Sequence, residues 1–259
     1  MATGPAFDDA VALAKSLPTL GIGCHIVLTD GTPASHPDEI PTLLGPDRKN
    51  FRPSLLNFVH ALQRGKINEA EITREALAQI QKLQRAGIEP THVDTHKHTH
   101  LFPAVARPLL TIPAIRAIRN PFEPAFARTL PHAGFKRRLQ ISLLNRFRPG
   151  FEKLANQIPT TDGTIGVSAT GNLNPTTLRQ ILDALPTEGT FELVCHPGYN
   201  DHDLDRVTTR LRAHRDIERQ ALLAEIPRIL SLPQPPRLIH YGSLRTEQTR
   251  TAQPKAGAV

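Results

Sequence analysis

The sequence predicts an α/β fold of parallel βα units, either a βα barrel or an open doubly wound sheet. Three observations carry that expectation. Short apolar runs bounded by Gly, Pro or polar turns alternate with amphipathic helical patterns. The chain has 259 residues, 39% of them hydrophobic, which is enough to bury one sizeable core. No apolar run is long enough to cross a bilayer.

The elements follow in order. AFDDAVALAKSL is an amphipathic helix with Asp8 and Asp9 in its first turn, where carboxylates favour the helix dipole. GIGCHIVL (21–28) is the first strand. The stretch after it, TDGTPASHPDEIPTLLGPDRKNFRP, has no periodicity, and loops of that length cover active sites or stay mobile. INEAEITREALAQIQKLQRAG is a helix ended by a glycine, and EPTHVDTH (89–96) and AIRAIRN (114–120) are strands. In FKRRLQISLLNRFRP, Phe135, Leu139, Leu143 and Phe147 recur every four residues, which predicts a helix packed on the core with a solvated basic face. GTIGVSA (163–169), GTFELVCHP (189–197) and RLIHYG (237–242) complete the strands. NPTTLRQILDAL opens with Asn174 as N-cap and Pro175 at the first helical position. The pattern is that of a single domain over 1–245, followed by a disordered tail over 246–259.

Composition bounds the function. A formal charge of +7 and a pI near 9.8 favour anionic surroundings, so the basic helix is also a candidate for peripheral contact with a membrane surface or a phosphate-bearing ligand. Specific nucleic-acid reading has little support, with no Trp, two Tyr and no reader motif. Two cysteines make no disulfide framework, and the opening residues show no basic leader with an apolar core, so a cytoplasmic location is expected.

The chemistry is concentrated in THVDTHKHTHLFP, where His92, Asp94, His96, His98 and His100 alternate. In an extended chain all five would project from one face. They cannot all serve one ion, because His92 and His100 would stand roughly 26 Å apart if the strand ran that far. Lys97 and the residues beyond it are polar up to a proline, so the strand should end near His96. That places His96 at the rim, His98 and His100 in the following loop, and Asp94 one step deeper, where it can orient an imidazole. His25 and His196 lie on two further predicted strands, and in a βα barrel strand ends converge on one site. Cys24 precedes His25 and Cys195 precedes His196, so inward imidazoles would turn both thiols outward, which disfavours a Cys-plus-His zinc site.

GIGCHIVLTDGTP, THVDTHKHTHLFP and FELVCHPGYND resemble, in the same order, three motifs of the YdjC-like carbohydrate deacetylases, a family that includes chitooligosaccharide deacetylase and the hopanoid-biosynthesis-associated deacetylase. The likeness runs from about residue 3 to residue 243. It implies a distorted or incomplete TIM-like βα barrel and hydrolysis of an acetyl group from an N-acetylated sugar or sugar-lipid. It also implies a divalent metal ion, Mg²⁺ or Zn²⁺. By motif, His25 and His96 would be the metal ligands, with His196 facing the same pocket as candidate acid. AIRAIRNPFEP is similar to the family segment carrying an arginine near the site, here Arg119, while Asp94 and His98 would support the ligands or the substrate.

Family members open with a strand ending in Asp-Asp-x-Gly, which supplies a metal ligand and the base, and nothing before MATGPAF matches it. Asp8 and Asp9 sit in a helix and do not replace it. A chain beginning here would hold two imidazole ligands and the candidate acid, and is expected to be nearly inactive. A non-catalytic homologue that binds a carbohydrate or a partner is the alternative. The sequence leaves open whether the protein forms a homodimer.

Overall fold

The computed structural model describes residues 1–128, 134–156, 158–205, 209 and 211–244. The tail expected to be disordered, 246–259, lies outside the described residues. In chain order the elements are α1 (Phe7–Ser16), β1 (Gly23–Ile26), α2 (Leu55–Gln63), α3 (Glu69–Arg85), β2 (His92–Thr95), α4 (Pro103–Leu110) and α5 (Ala125–Arg128). Then come α6 (Phe135–Leu144), α7 (Arg148–Ala155), β3 (Gly163–Ile165), α8 (Pro175–Asp183), β4 (Phe191–Leu193), α9 (His202–Asp205) and α10 (Arg212–Leu230).

The chain falls into two compact units. The first comprises Met1–Arg119, Phe147–Thr160 and the stretch from Ile239, and the second comprises Asn120–Arg146 with Thr161–Leu238. Each unit holds one parallel strand pair, β1–β2 in the first and β3–β4 in the second. This is a mixed α/β architecture of the parallel kind that alternating strands and helices require. The described strands form these two pairs and no closed barrel.

In the first unit α3 packs on β1. Asn68 caps the helix by accepting the Ala70 N–H, and Gly87, at φ 81, follows its C-terminus in the left-handed region. The buried face of α3 is not wholly apolar. Glu75 accepts the N–H groups of Ala34 and Ser35 at 2.8 and 2.9 Å, and Glu71 accepts both the N–H and the hydroxyl of Thr42 at 2.8 Å. Gln79 bonds both the N–H and the carbonyl of Val27. The aperiodic segment after β1 is therefore strapped down by buried side chains spaced four apart on α3. A buried carboxylate must be paired, and here loop backbone donors do the pairing.

Three sequence expectations change. AIRAIRN contributes a single parallel bridge, Val93↔Ile118, with the Val93 N–H on Ala117 and the Arg119 N–H on Val93, rather than a full strand. RLIHYG is not a strand. It follows three prolines within SLPQPP, which cannot donate to a ladder, and it ends in a 3₁₀ turn, Tyr241–Ser243, capped by His240. Two residues of the basic-helix stripe do not pack inward, Leu139 at 52% and Leu143 at 48% exposed, whereas Ile141 on the opposite face is buried; the Phe135 side chain lies outside the described residues. The Asn145 amide bonds the Ile141 carbonyl at 2.9 Å and the helix stops at Leu144. Phe147 thus lies beyond α6, edge-on to Phe102 at 5.0 Å between ring centres.

In the second unit Asn174 accepts the Thr177 N–H and Pro175 opens α8, as the sequence predicts. Leu178, Ile181 and Leu182 pack with Ala221 and Ile229 of α10 and Ile165 of β3. Gly166, at φ 89, lets β3 approach β4: a Cβ there would stand 2.8 Å from the Val194 carbonyl oxygen.

Candidate active site

The site is set by strand register. β1 and β2 pair so that His25 lies beside Asp94, which puts an imidazole and a carboxylate on one face of adjacent strands. Asp94 Oδ2 accepts from His25 Nδ1 at 2.8 Å and also pairs with the Arg119 guanidinium. A carboxylate only accepts, so the proton of this bond is on Nδ1 of His25, and the ring in its neutral form presents its lone pair at Nε2. Burial works against ionisation of Asp94, but the hydrogen bond from His25 and the charges of His25 and Arg119 outweigh it and hold the carboxyl well below the usual range.

β2 ends at Thr95, and His96 opens a 3₁₀ turn, His96–Leu101. Inside that turn Lys97 and His98 both adopt left-handed backbone, φ 56 and 52. Thr95 is extended, so His96 continues the alternation of Asp94 one step past the strand and its ring meets His25, with His25 Nε2 and His96 Nδ1 3.4 Å apart and the rings edge to face. Burial, and then the neighbouring charges of His25 and Lys97, lower the pKa of His96 to about 4, which leaves one ring nitrogen with its lone pair free to bind at neutral pH. Lys97 Nζ pairs with Asp30 at 2.7 Å beyond the end of β1.

The remaining residues of the alternation have separate surroundings. His92, at the other end of β2, stacks on Tyr241 with ring centres 3.9 Å apart, and it fills the space a Cβ on Gly23 would need. His98 follows Lys97 in the left-handed turn, its ring 6.2 Å from that of His100. His100 is fully buried, between the Thr95 hydroxyl at 2.8 Å and the Arg119 carbonyl at 3.1 Å. Sequence reading placed it in a loop and gave it no role. The signal that could have found it is Thr95, the one hydroxyl five residues before it.

Cys24 is 1% exposed, and burial pushes its thiol up to about 12, so it is inert as a thiolate. His196 belongs to the second unit. It follows β4, its N–H donates to Glu218 at 2.5 Å, and its Nδ1 stands 3.8 Å from the same carboxylate.

The chemistry of this donor set can be tested against a metal. Two imidazole nitrogens bound to one tetrahedral ion at about 2.0–2.1 Å stand roughly 3.3–3.4 Å apart. The His25–His96 separation of 3.4 Å matches that edge. Asp94 behind His25 is the carboxylate partner that metal-binding imidazoles commonly use. Among the described residues no third His, Cys, Asp or Glu joins the pair.

Fold and site define an α/β protein that carries facing imidazoles, backed by a buried Asp94 paired with a half-buried Arg119, at the C-terminal ends of a parallel strand pair. An Enterococcus faecalis V583 structure, named provisionally for cellobiose-phosphate cleavage, shares the fold with a TM-score of 0.75, covering 94% of this chain and 85% of that one at 23% identity. The profile of the YdjC-like protein family matches residues 1–228, and the chain belongs to that family. Relatives include the carbohydrate deacetylase of Brevibacillus brevis, 28% identical over 195 residues, or 75% of this chain and 66% of that protein. The carbohydrate deacetylase of Geobacillus stearothermophilus is 28% identical over 78% of this chain and 67% of its own length. The chitooligosaccharide deacetylase of Enterobacter sp. 638 is 28% identical over 78% of this chain and 70% of its own. The chain thus spans about two thirds of the length of these relatives. Among the described residues no helix is long and apolar enough to cross a membrane.

Proposed function

We propose that this protein belongs to a line of metal-dependent amidohydrolases that remove an acetyl group from an N-acetylated sugar or sugar-lipid, and that His25 and His96 hold the divalent ion. The single observation that carries this reading is the 3.4 Å approach of His25 Nε2 to His96 Nδ1, with Asp94 fixing the His25 tautomer. Names of relatives support the substrate class: two are carbohydrate deacetylases and one is a chitooligosaccharide deacetylase. A bound divalent ion would polarise the acetamide carbonyl and acidify a water.

The chain's own residues do the rest. Asp94 and Arg119 orient His25, and burial keeps His96 neutral. By motif resemblance His196 is the candidate acid for the departing sugar nitrogen, a role suited to the chemistry of imidazole. With two imidazole ligands the site suits Zn²⁺ better than Mg²⁺, which prefers oxygen. His98 is a candidate for contact with the sugar, on the same turn as His96.

A second reading, a homologue that binds a carbohydrate without turning it over, is favoured by one observation: no third ligand residue joins His25 and His96 among the described residues. One experiment separates the two. The chelated protein, and an N-terminally extended form carrying the family's Asp-Asp-x-Gly strand, are titrated with Zn²⁺ by calorimetry and then assayed for acetate release from N-acetylated chitooligosaccharides, the extended form deciding turnover. Metal-dependent release that His25→Ala and His96→Ala abolish supports the enzyme, and sugar binding without release supports the second reading. Zn²⁺ binding unchanged in both variants would sink the assignment of the ligands.

A further inference from the structure

We propose that His100 is a positioning residue that locks the two imidazole arms of the site to each other: its ring bridges the Thr95 hydroxyl beneath His96 and the carbonyl of Arg119, whose guanidinium holds Asp94 against His25. The inference rests on the reading of His25 and His96 as the ligand pair and deepens it.

Proton accounting fixes the direction of each bond. The Arg119 carbonyl can only accept, so His100 Nε2, 3.1 Å away, carries the ring proton and Nδ1 is left as an acceptor. Thr95 must then donate to Nδ1 across 2.8 Å. The two remaining lone pairs of Thr95 Oγ1 accept the His100 N–H at 2.9 Å and the Thr99 hydroxyl at 2.9 Å. Thr95 thus uses its full capacity, and so does the neutral ring of His100. Thr95, Thr99 and His100 are all 0% exposed, so no water replaces a lost partner cheaply. Burial, and next the charge of His98, lower the His100 pKa to about 3, consistent with the neutral ring the bonds require.

The turn needs such a lock. Two consecutive non-glycine residues, Lys97 and His98, hold left-handed backbone immediately after His96, a conformation costing on the order of 1–3 kcal/mol per residue. Relaxation of that turn would loosen the chain directly after His96, and with it the anchoring of the His96 backbone. The Lys97–Asp30 pair, about one third exposed at each partner, is too solvated to hold it alone. On the other arm Arg119 is fixed at three points: its N–H on the Val93 carbonyl, its own carbonyl under His100 Nε2, and its guanidinium on Asp94. His100 is the side chain common to both arms.

The test compares Thr95→Val, which keeps shape and loses the hydroxyl, with Thr95→Ser, which keeps the hydroxyl, and adds His100→Phe. Two readouts are taken on folded protein well below its melting transition. The first is Zn²⁺ affinity by calorimetry. The second is long-range ¹H–¹⁵N NMR of the imidazoles in chelated protein, which reports tautomer and ordering without any metal. Thr95→Val and His100→Phe should weaken Zn²⁺ binding about 10–100-fold, the range for an outer-shell partner, and should blur the Nδ1–H tautomer of His25. Thr95→Ser should stay within about 3-fold of the parent and keep the tautomer, as expected of a partner whose hydroxyl alone matters. A purely structural role would lower the melting temperature of all three variants and leave both readouts of the folded protein unchanged, which would overturn the proposal. Should His100→Phe fail to fold, His100→Gln, whose amide nitrogen can donate to the Arg119 carbonyl but which places no acceptor at the ring Nδ1 position facing Thr95, carries the same comparison. If the parent itself binds no Zn²⁺, the ligand assignment falls, and the NMR comparison still decides whether His100 orders the two rings.

Discussion

α3 packs on β1 of the first pair and presents Glu71, Glu75 and Gln79 inward, all buried and all bonded to backbone. The second pair packs its Ile165 against Leu178, Ile181 and Leu182 of α8 and Ala221 and Ile229 of α10. Both are short parallel pairs backed by helices over apolar side chains, Ile72, Ala76 and Ile80 of α3 serving the first, yet in the first the backing helix also bonds backbone through a row of buried polar side chains. The difference carries through to the strand ends. β1–β2 ends in His25, Asp94, His96 and the buried His100, whereas β4 leads to one histidine beside one buried carboxylate, Glu218. Apolar packing is non-directional and tolerates small shifts. Hydrogen-bonded networks fix angles, which is what a site needing two nitrogens in one place requires.

This contrast can be broken most severely at Asp94. Asp94→Ala strands the Arg119 guanidinium, 16% exposed, without its carboxylate, and losing one partner of a buried pair costs about 3–5 kcal/mol. Urea unfolding should show a loss of that size, and Zn²⁺ affinity should fall with it. Leu178→Ala in the second pair should cost about 3 kcal/mol by transfer and cavity terms, with Zn²⁺ affinity of the folded protein unchanged. Equal loss of metal binding in both variants would mean that the two regions are not separable in this way.

Acid should distinguish the same regions. His100 and His96 have pKa values lowered to about 3 and about 4, while in the unfolded chain each titrates near 6.5. Below about pH 6.5 the unfolded state therefore binds more protons, so stability is fully present above that pH and falls as the pH drops toward 4 and then 3. The depressed carboxyl of Asp94 adds a further loss below about pH 4. Hydrogen exchange should accelerate first at the amides of Val93 and Arg119, ahead of Val194 beside β3. Uniform acceleration would contradict the localisation. The smallest effect is expected on α6. Leu139→Ser and Leu143→Ser, at half-exposed positions, should change stability by no more than about 0.5 kcal/mol, and a cost of several times that would show the stripe to be packed.

Much of this was legible in the chain. GIGCHIVL and THVDTH announce two strands by composition, Asn174-Pro175 announces a helix start, and the period of two in His92, Asp94 and His96 puts those residues on one face. These are local properties set by backbone sterics, capping and side-chain alternation, and they need no knowledge of the rest of the molecule. The four-residue stripe of the basic helix shows the limit of such reading: periodicity shows that one face is apolar, and only the neighbours decide whether that face is covered. The aperiodic segment after β1 shows it again, since it is held by Glu71 and Glu75, about thirty to forty residues away in sequence.

What the sequence by itself determined is the inventory: parallel strands and helices, the histidine-rich strand end, the family, and the identities of His25, Asp94, His96 and Arg119 as the residues to watch. What the tertiary structure decided is the arrangement. The β1–β2 register sets His25 beside Asp94 and leaves His96, one step past the strand, 3.4 Å from His25, and His100 becomes a buried bridge rather than a loop residue. The physical reason is that register, turn handedness and buried hydrogen-bond partners are fixed by contacts between segments about seventy residues apart, as the His25–Asp94 pair illustrates. No local pattern encodes those contacts.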